Sequence, residues 1–155
     1  MKENSVIHVL YVDDEKNNLV SFNASFRRDF FIYTANSVQE AQEILTNNEI
    51  HVLITDQRMP GALGTDLLEQ AVKDDPDQTR ILLTAFADIE AIKDAINKGQ
   101  IYHYLQKPWN DAELKETIEN AYKIYQLKKE QKDLNKKITL TNEQLEFMLR
   151  QKLLS

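Results

Sequence analysis

Cysteine is absent from the 155-residue chain, and glycine and proline occur only three times each. The absence of cysteine excludes disulfides, thiolate metal sites and a cysteine nucleophile, and it fits a reducing compartment. With so few glycines, the chain contains neither a phosphate-binding loop nor a dinucleotide-binding fingerprint. The common glycine-dependent nucleotide-binding folds are therefore excluded.

Long apolar runs and clusters of positive charge are also missing. Residues 1–5, with the sequence MKENS, contain no apolar signal core, and nowhere do about 18 apolar residues stand together. We therefore expect a cytoplasmic protein without membrane contact. The net charge is −6, whereas a nucleic-acid surface needs clustered positive charge. Direct nucleic-acid binding is not expected.

Short apolar runs rich in β-branched residues alternate with helix-like segments through the first 109 residues. In the first such segment, Leu19, Phe22 and Phe26 recur at the spacing of one helix face. The pattern predicts an α/β fold, a doubly wound parallel sheet of five strands with helices on both faces. The predicted strands are residues 6–12, 31–35, 51–55, 80–84 and 101–105.

The last part of the chain has a different pattern, because no glycine or proline follows Trp109. One long helix is predicted there, with mostly apolar residues at heptad spacing over roughly four heptads. We call these heptad positions the seam. Its first series is Ile124, Gln131, Ile138, Leu145 and Lys152, and its second is Leu127, Leu134, Thr141 and Met148.

The seam predicts a coiled coil between two copies of the chain, and hence a homodimer. Polar Gln131, Thr141 and Lys152 weaken the seam, and the alternative is a charged helix that lies along its own domain. We divide the chain into a domain of residues 1–125 and a helical extension of residues 126–155. The extension is either a coiled coil or a linker to a further output domain.

Polar residues stand where four of the predicted strands end. Asp13 and Asp14 follow the first strand and Asp56 the third. Thr84 ends the fourth strand, and Lys107 follows the fifth. Because ligand sites of open parallel sheets lie at the carboxyl ends of the strands, we expect these side chains to converge at one edge.

Three carboxylates at one place repel one another unless a cation shares the site. Oxygen ligands without His or Cys favour a hard ion such as Mg²⁺. With the ammonium of Lys107 and the hydroxyl of Thr84 beside it, an ionised Asp56 is suited to accept a phosphoryl group as an aspartyl phosphate.

Each of these residues also has an ordinary interpretation. Asp13 and Asp14 could cap the following helix, and Asp56 and Lys107 could belong to plain turns. The joint occurrence, each residue at the end of the appropriate strand, favours the phosphoryl-transfer interpretation.

Four segments resemble the receiver domains of two-component response regulators, the CheY-like family. They are residues 11–15 (YVDDE), 54–61 (ITDQRMPG), 82–85 (LLTA) and 104–109 (YLQKPW). The resemblance covers about residues 6–125, and it agrees in order, spacing and strand placement. It implies a flavodoxin-like fold and phosphorylation of Asp56 by a sensor histidine kinase or a phosphotransfer protein.

The resemblance also implies a Mg²⁺ site. Asp13, Asp14 and Asp56 would hold the ion directly or through water, and the backbone carbonyl of Arg58 would be a further ligand. Apart from Mg²⁺-dependent phosphorylation and dephosphorylation of itself, the protein is not expected to be an enzyme.

A switch is implied as well. Lys107, in a cis Lys107–Pro108 peptide, would pair with the phosphoryl group. Thr84 would be the switch hydroxyl and Tyr104 the coupled aromatic residue. The face made by the fourth helix, the fifth strand and the fifth helix would then repack, and the fifth helix would carry the change to the dimer.

Two alternatives remain. An aspartate-nucleophile phosphatase also uses Mg²⁺, but it expects its nucleophile on the first strand with a second Asp two residues later, whereas Asp13 and Asp14 are adjacent. Alternatively, the chain is the receiver part of a larger protein with an enzymatic output, such as a cyclic-di-nucleotide phosphodiesterase or a serine phosphatase.

Overall fold

The structure is a computed structural model that describes residues 6–85, 89–98 and 100–154. It divides into two compact units, Met1–Tyr125 and Gln126–Ser155. The strands are β1 His8–Val12, β2 Phe31–Ala35, β3 Val52–Asp56, β4 Arg58–Met59, β5 Ala62–Leu63, β6 Thr79–Thr84 and β7 His103–Gln106. The helices are α1 Lys16–Phe26, α2 Val38–Asn47, α3 Gly64–Asp74, α4 Ile89–Asn97 and α5 Asp111–Leu154.

The main sheet has five parallel strands in the order β2-β1-β3-β6-β7. This order confirms the predicted doubly wound α/β fold, and the fifth predicted strand corresponds to β7. Chain order reverses at β1, so the crevice between the carboxyl ends of β1 and β3 is the expected place for a site.

A two-stranded antiparallel hairpin, β4 with β5, follows β3 and was not predicted. Each strand has two residues, which is too short for a periodic pattern to show. Gly61 in the turn has φ 77°, a conformation that favours glycine. The hairpin occupies the loop that follows the predicted phosphoacceptor.

Side chains of β1 alternate between two hydrophobic clusters, as expected for a strand buried on both faces. Leu10 and Val12 belong to a cluster with residues of α2, α3 and α4. Val9 and Tyr11 belong to the other cluster, with residues of α1 and α5. Apolar residues therefore cover both faces of the sheet.

The predicted long helix is present as α5, which has 44 residues. Its buried residues are Leu114, Ile118, Ala121 and Tyr125, all within the first compact unit. In the second unit, every residue from Leu127 to Leu154 is exposed. Among the described residues, none of the helices has the length and apolar content that a membrane span requires.

Candidate functional site

Three aspartates meet at the carboxyl ends of β1 and β3. Asp13 and Asp14 directly follow β1, and Asp56 is the last residue of β3. One carboxylate oxygen from each lies within 4.8 Å of the other two, a spacing that suits a shared metal ion. Asp13 and Asp56 are buried and Asp14 is exposed. The structure thus brings together the three carboxylates that the sequence placed at strand ends.

Lys107 follows β7 and reaches across to two of these carboxylates. Its Nζ lies 2.6 Å from Asp13 Oδ2 and 3.4 Å from Asp56 Oδ1. Its backbone N–H donates to the carbonyl of Thr84 at 2.8 Å. The Lys107–Pro108 peptide is cis, as the resemblance implied. A single ammonium therefore neutralises part of the charge of the cluster.

The two buried carboxyls have opposite pKa shifts. Burial by itself would raise the pKa of Asp13, but hydrogen bonds from Lys107, Tyr11 and the backbone of Glu15 together hold that pKa below 3.8. Burial raises the pKa of Asp56 above 3.8, and although Lys107 opposes this rise, the charge of Asp13 adds to it. Asp56 therefore carries the charge that a nearby cation would stabilise most.

Asp13 is held by more donors than the sequence suggested. The Tyr11 hydroxyl donates to Asp13 Oδ2 at 2.5 Å, and the Asn18 amide donates to the same oxygen at 3.1 Å. The backbone N–H of Glu15 donates to Oδ1 at 2.9 Å. The N-cap of α1 is Glu15, without a side-chain cap, so the interpretation of Asp13 and Asp14 as helix caps is not supported.

Sequence reasoning missed Tyr11 and Asn18 as parts of the site. One signal was available for each. Tyr11 stands two residues before Asp13 on the same strand, and Asn18 is a polar residue in the first turn of α1. Neither signal shows which oxygen the group would reach.

A cavity of about 580 Å³ opens beside the carboxylates. Asp56, Thr84 and Lys107 line it, as does Arg58, whose carbonyl was expected to bind the metal. Its remaining lining residues are Glu15, Asn18, Ser21, Ala85, Pro108 and Trp109. The cavity is large enough to admit a phosphoryl donor group next to Asp56.

The two expected switch residues lie on neighbouring strands. Thr84 ends β6, is 2% exposed and lines the cavity. Tyr104 in β7 pairs with Leu82 of β6 and is 43% exposed. The tyrosine ring therefore lies at the surface in this structure, while the threonine is buried at the site.

The backbone after Asp56 is fixed by a close approach that the sequence did not reveal. A Cβ atom on Gly64 would lie 2.2 Å from the backbone carbonyl oxygen of Asp56. The Gly64 N–H donates to the carbonyl of Gln57 at 2.8 Å, and Gln57 Oε1 accepts from the backbone of Thr65 at 3.0 Å. The start of α3 thus packs directly against Asp56.

Comparison with known proteins gives a consistent result. The family model of the response regulator receiver domain matches residues 9–119. The hydrogenase transcriptional regulatory protein HoxA of Bradyrhizobium diazoefficiens is 31% identical over 122 residues, which are 79% of this chain and 25% of that protein. The chain spans about a quarter of the length of the curated relatives it matches.

Two solved structures are also similar. One, described as adenylate cyclase from Rhodopirellula baltica, has a TM-score of 0.82 and 29% identity, covering 86% of this chain and 99% of that chain. The other, the response regulator protein TrrA of Thermotoga maritima in complex with Mg²⁺-BeF, has a TM-score of 0.67 and 26% identity, covering 75% and 99% of the two chains.

Proposed function

The chain belongs to the response regulator receiver family, and from this premise we propose that Asp56 accepts a phosphoryl group from a sensor histidine kinase or a phosphotransfer protein. Receiver domains of two-component systems are phosphorylated by histidine kinases. The observation that carries the proposal for Asp56 is its position, nearly buried in the cavity wall, with Lys107 Nζ at 3.4 Å and two further carboxylates within 4.8 Å.

The transfer balances without a general base. A carboxylate oxygen of Asp56 forms the new O–P bond, and the N–P bond of a phosphohistidine donor breaks. The electron pair of that bond goes to the imidazole nitrogen of the donor. Because the Asp56 nucleophile reacts as a carboxylate, the protein contributes positioning and charge neutralisation.

The acidic cluster is compatible with Mg²⁺, since all its side-chain ligands are carboxylate oxygens and the pKa of Asp56 is raised by burial. Asp13, Asp14, Asp56 and the carbonyl of Arg58 are the groups we propose to hold the ion. When bound, Mg²⁺ would neutralise charge on the phosphoryl oxygens. In the protein itself, Lys107 supplies the other positive charge and is shared between Asp13 and Asp56.

The proposed signal starts at Thr84. A phosphoryl group on Asp56 adds charge and three acceptor oxygens. Thr84 lines the same cavity as Asp56, and we propose that its hydroxyl donates to one of these oxygens. Its movement would leave room for the exposed ring of Tyr104 to turn inward. The face of α4, β7 and α5 would then repack as a two-state element.

We further propose that a second copy of the chain covers the seam of α5, which makes the protein a homodimer. The exposed apolar side chains of Leu134, Ile138 and Leu145 support this proposal. The output remains a separate proposal. HoxA is by name a transcriptional regulator and is about three times as long as this chain, so we add a transcriptional output to the enzymatic outputs considered above.

Phosphorylation can be tested with acetyl phosphate, a small phosphodonor, in the presence of Mg²⁺. We expect the intact mass to increase by one phosphoryl group, and we expect chelation of Mg²⁺ or Asp56→Asn to abolish the increase. Asp94→Asn is the control, because Asp94 is exposed and forms an ion pair with Lys98, four residues further along the chain. Labelling that persists in Asp56→Asn would overturn the assignment of Asp56.

A further inference from the structure

Tyr11 belongs both to the hydrophobic core and to the acidic cluster. Its side chain is fully buried, and its ring lies 4.5 Å from the ring of Phe22 and 5.9 Å from that of Trp109. Its hydroxyl donates to Asp13 Oδ2 at 2.5 Å. The aromatic neighbours therefore fix the ring, and the ring in turn fixes the position of the hydroxyl.

The donors on Asp13 differ in what phosphorylation would do to them. Oδ2 accepts from Tyr11, from Lys107 at 2.6 Å and from Asn18 at 3.1 Å. A phosphoryl group on Asp56 would attract Lys107, which already lies 3.4 Å from that residue. The Tyr11 hydroxyl is neutral and its ring is packed in the core, so a phosphoryl group would not draw it away from Asp13.

We propose that Tyr11 is a positioning residue for the divalent-cation site, because its hydroxyl holds the Asp13 carboxylate in place both before and after Lys107 turns to the phosphoryl group. This inference rests on the proposed function, since it requires Asp13 to act in Mg²⁺ binding. Removal of a group that orients a metal-binding carboxylate commonly weakens metal binding by about 10- to 100-fold. Tyr11 would act through Asp13 and would not touch the phosphoryl group.

The competing explanation is that the Tyr11 hydroxyl only satisfies a buried carboxylate. The chain offers a control for the loss of a hydrogen-bonded tyrosine hydroxyl as such. Tyr125 is also buried, and its hydroxyl donates to Glu49 Oε1 at 2.9 Å. Glu49 precedes β3, at the opposite end of the sheet from Asp13. Tyr11→Phe and Tyr125→Phe thus both remove a tyrosine hydroxyl that donates to a carboxylate, which is buried in Asp13 and exposed in Glu49. Only Tyr11 lies at the acidic cluster.

The test is a Mg²⁺ titration of the full chain, in which binding is measured by calorimetry and by the fluorescence of Trp109. Trp109 is a suitable probe because it lines the cavity and is the one tryptophan of the sequence. We expect Tyr11→Phe to weaken Mg²⁺ binding about tenfold and Tyr125→Phe to leave it within about twofold of the wild type. With acetyl phosphate, Tyr11→Phe should need about tenfold more Mg²⁺ for half-maximal labelling and should reach a similar maximal rate.

An unchanged Mg²⁺ affinity in folded Tyr11→Phe would overturn the inference. Absence of Mg²⁺ binding in the wild type would instead overturn the proposed function, so the two failures are distinguishable. If Tyr11→Phe does not fold, the wild type gives a second measurement. In protein labelled with ¹³C at the tyrosine ζ carbon, the Tyr11 resonance should shift on addition of Mg²⁺ while that of Tyr125 stays in place. A Tyr11 resonance that does not shift would contradict the proposal.

Discussion

The two compact units place their apolar side chains in opposite environments. In the first unit, core residues such as Leu10, Ile54 and Leu82 are fully buried. In the second unit, the large apolar side chains are exposed, from 52% for Leu134 to 84% for Leu153. Both units contain many large apolar residues, so apolar content alone does not distinguish them.

The difference shows where each unit obtains its stability. Burial of a Leu, Ile or Phe side chain contributes roughly 1.5–3 kcal/mol, and the first unit has already gained this free energy within one chain. The second unit has not, because the structure describes its apolar seam in contact with solvent. Exposed apolar surface of this extent usually marks an interaction site. Substitutions at Phe22 and at the seam test this contrast.

The largest expected effect concerns two phenylalanines. Phe22→Ala should lower the free energy of unfolding by about 3–5 kcal/mol, because it leaves a cavity in a closely packed core. Phe147→Ala is the matched control, since Phe147 is 61% exposed and lies off the seam, and it should change stability by about 0.5 kcal/mol or less. Urea denaturation measures both. A large loss for Phe147→Ala would mean that something covers this side chain, and the contrast would fail.

A smaller effect is expected at the seam itself. Ile138→Ala should weaken the proposed homodimer by roughly tenfold to a hundredfold, because it removes apolar surface that the second copy would bury. Leu140→Ala is the control, because Leu140 is as exposed as Ile138 (58% and 57%) but lies off the seam. Analytical ultracentrifugation over a range of concentrations measures the dissociation constant. A wild type that stays monomeric, or equal effects of both substitutions, would rule out the seam as the dimer contact.

The smallest effect concerns stability within the acidic cluster. Without divalent cations at neutral pH, Asp56→Asn should give a small increase in the free energy of unfolding. The pKa of Asp56 is raised by burial in the folded chain, so its ionised form is less stable there than in the unfolded chain. The gain should fade as the pH falls from this raised pKa towards 3.8.

For substitution of Asp13, we expect a change in the free energy of unfolding of the opposite sign. Despite its burial, its hydrogen bonds lower its pKa on folding. Asp13→Asn should therefore lower stability at neutral pH, and the loss should shrink as the pH falls below 3.8 through the lowered folded pKa. Urea denaturation at a series of pH values tests both variants. If both substitutions changed the free energy of unfolding in the same direction, the two carboxyls would not have opposite pKa shifts.

The sequence predicted most of the fold because the signals for it are local. Strands that are buried on both faces appear as continuous apolar runs, and the polar residues at their ends then fall at one edge of the sheet. The absence of glycine and proline after Trp109 predicted the long helix α5. The hairpin of β4 and β5 could not be predicted, because two residues show no period.

The site was less predictable than the fold. Which residues stand at the strand ends is a property of the chain, but which atoms meet depends on tertiary distances. The closer contact of Lys107 with Asp13 than with Asp56, at 2.6 Å against 3.4 Å, is one example. The donation from Tyr11 is another, since a tyrosine in an apolar strand is equally consistent with packing alone. The homodimer through the seam stays a prediction.

The close approach at Gly64 has a consequence for how the protein can vary. A Cβ atom at this position would clash with the backbone of Asp56, and a backbone cannot rotate away as a flexible side chain could. Even the smallest replacement, alanine, would displace the backbone of Asp56, so we expect no residue other than glycine to be tolerated at this position. In a mutational scan selected for phosphorylation, position 64 should be as intolerant as Asp56 itself, although Gly64 takes no part in the chemistry.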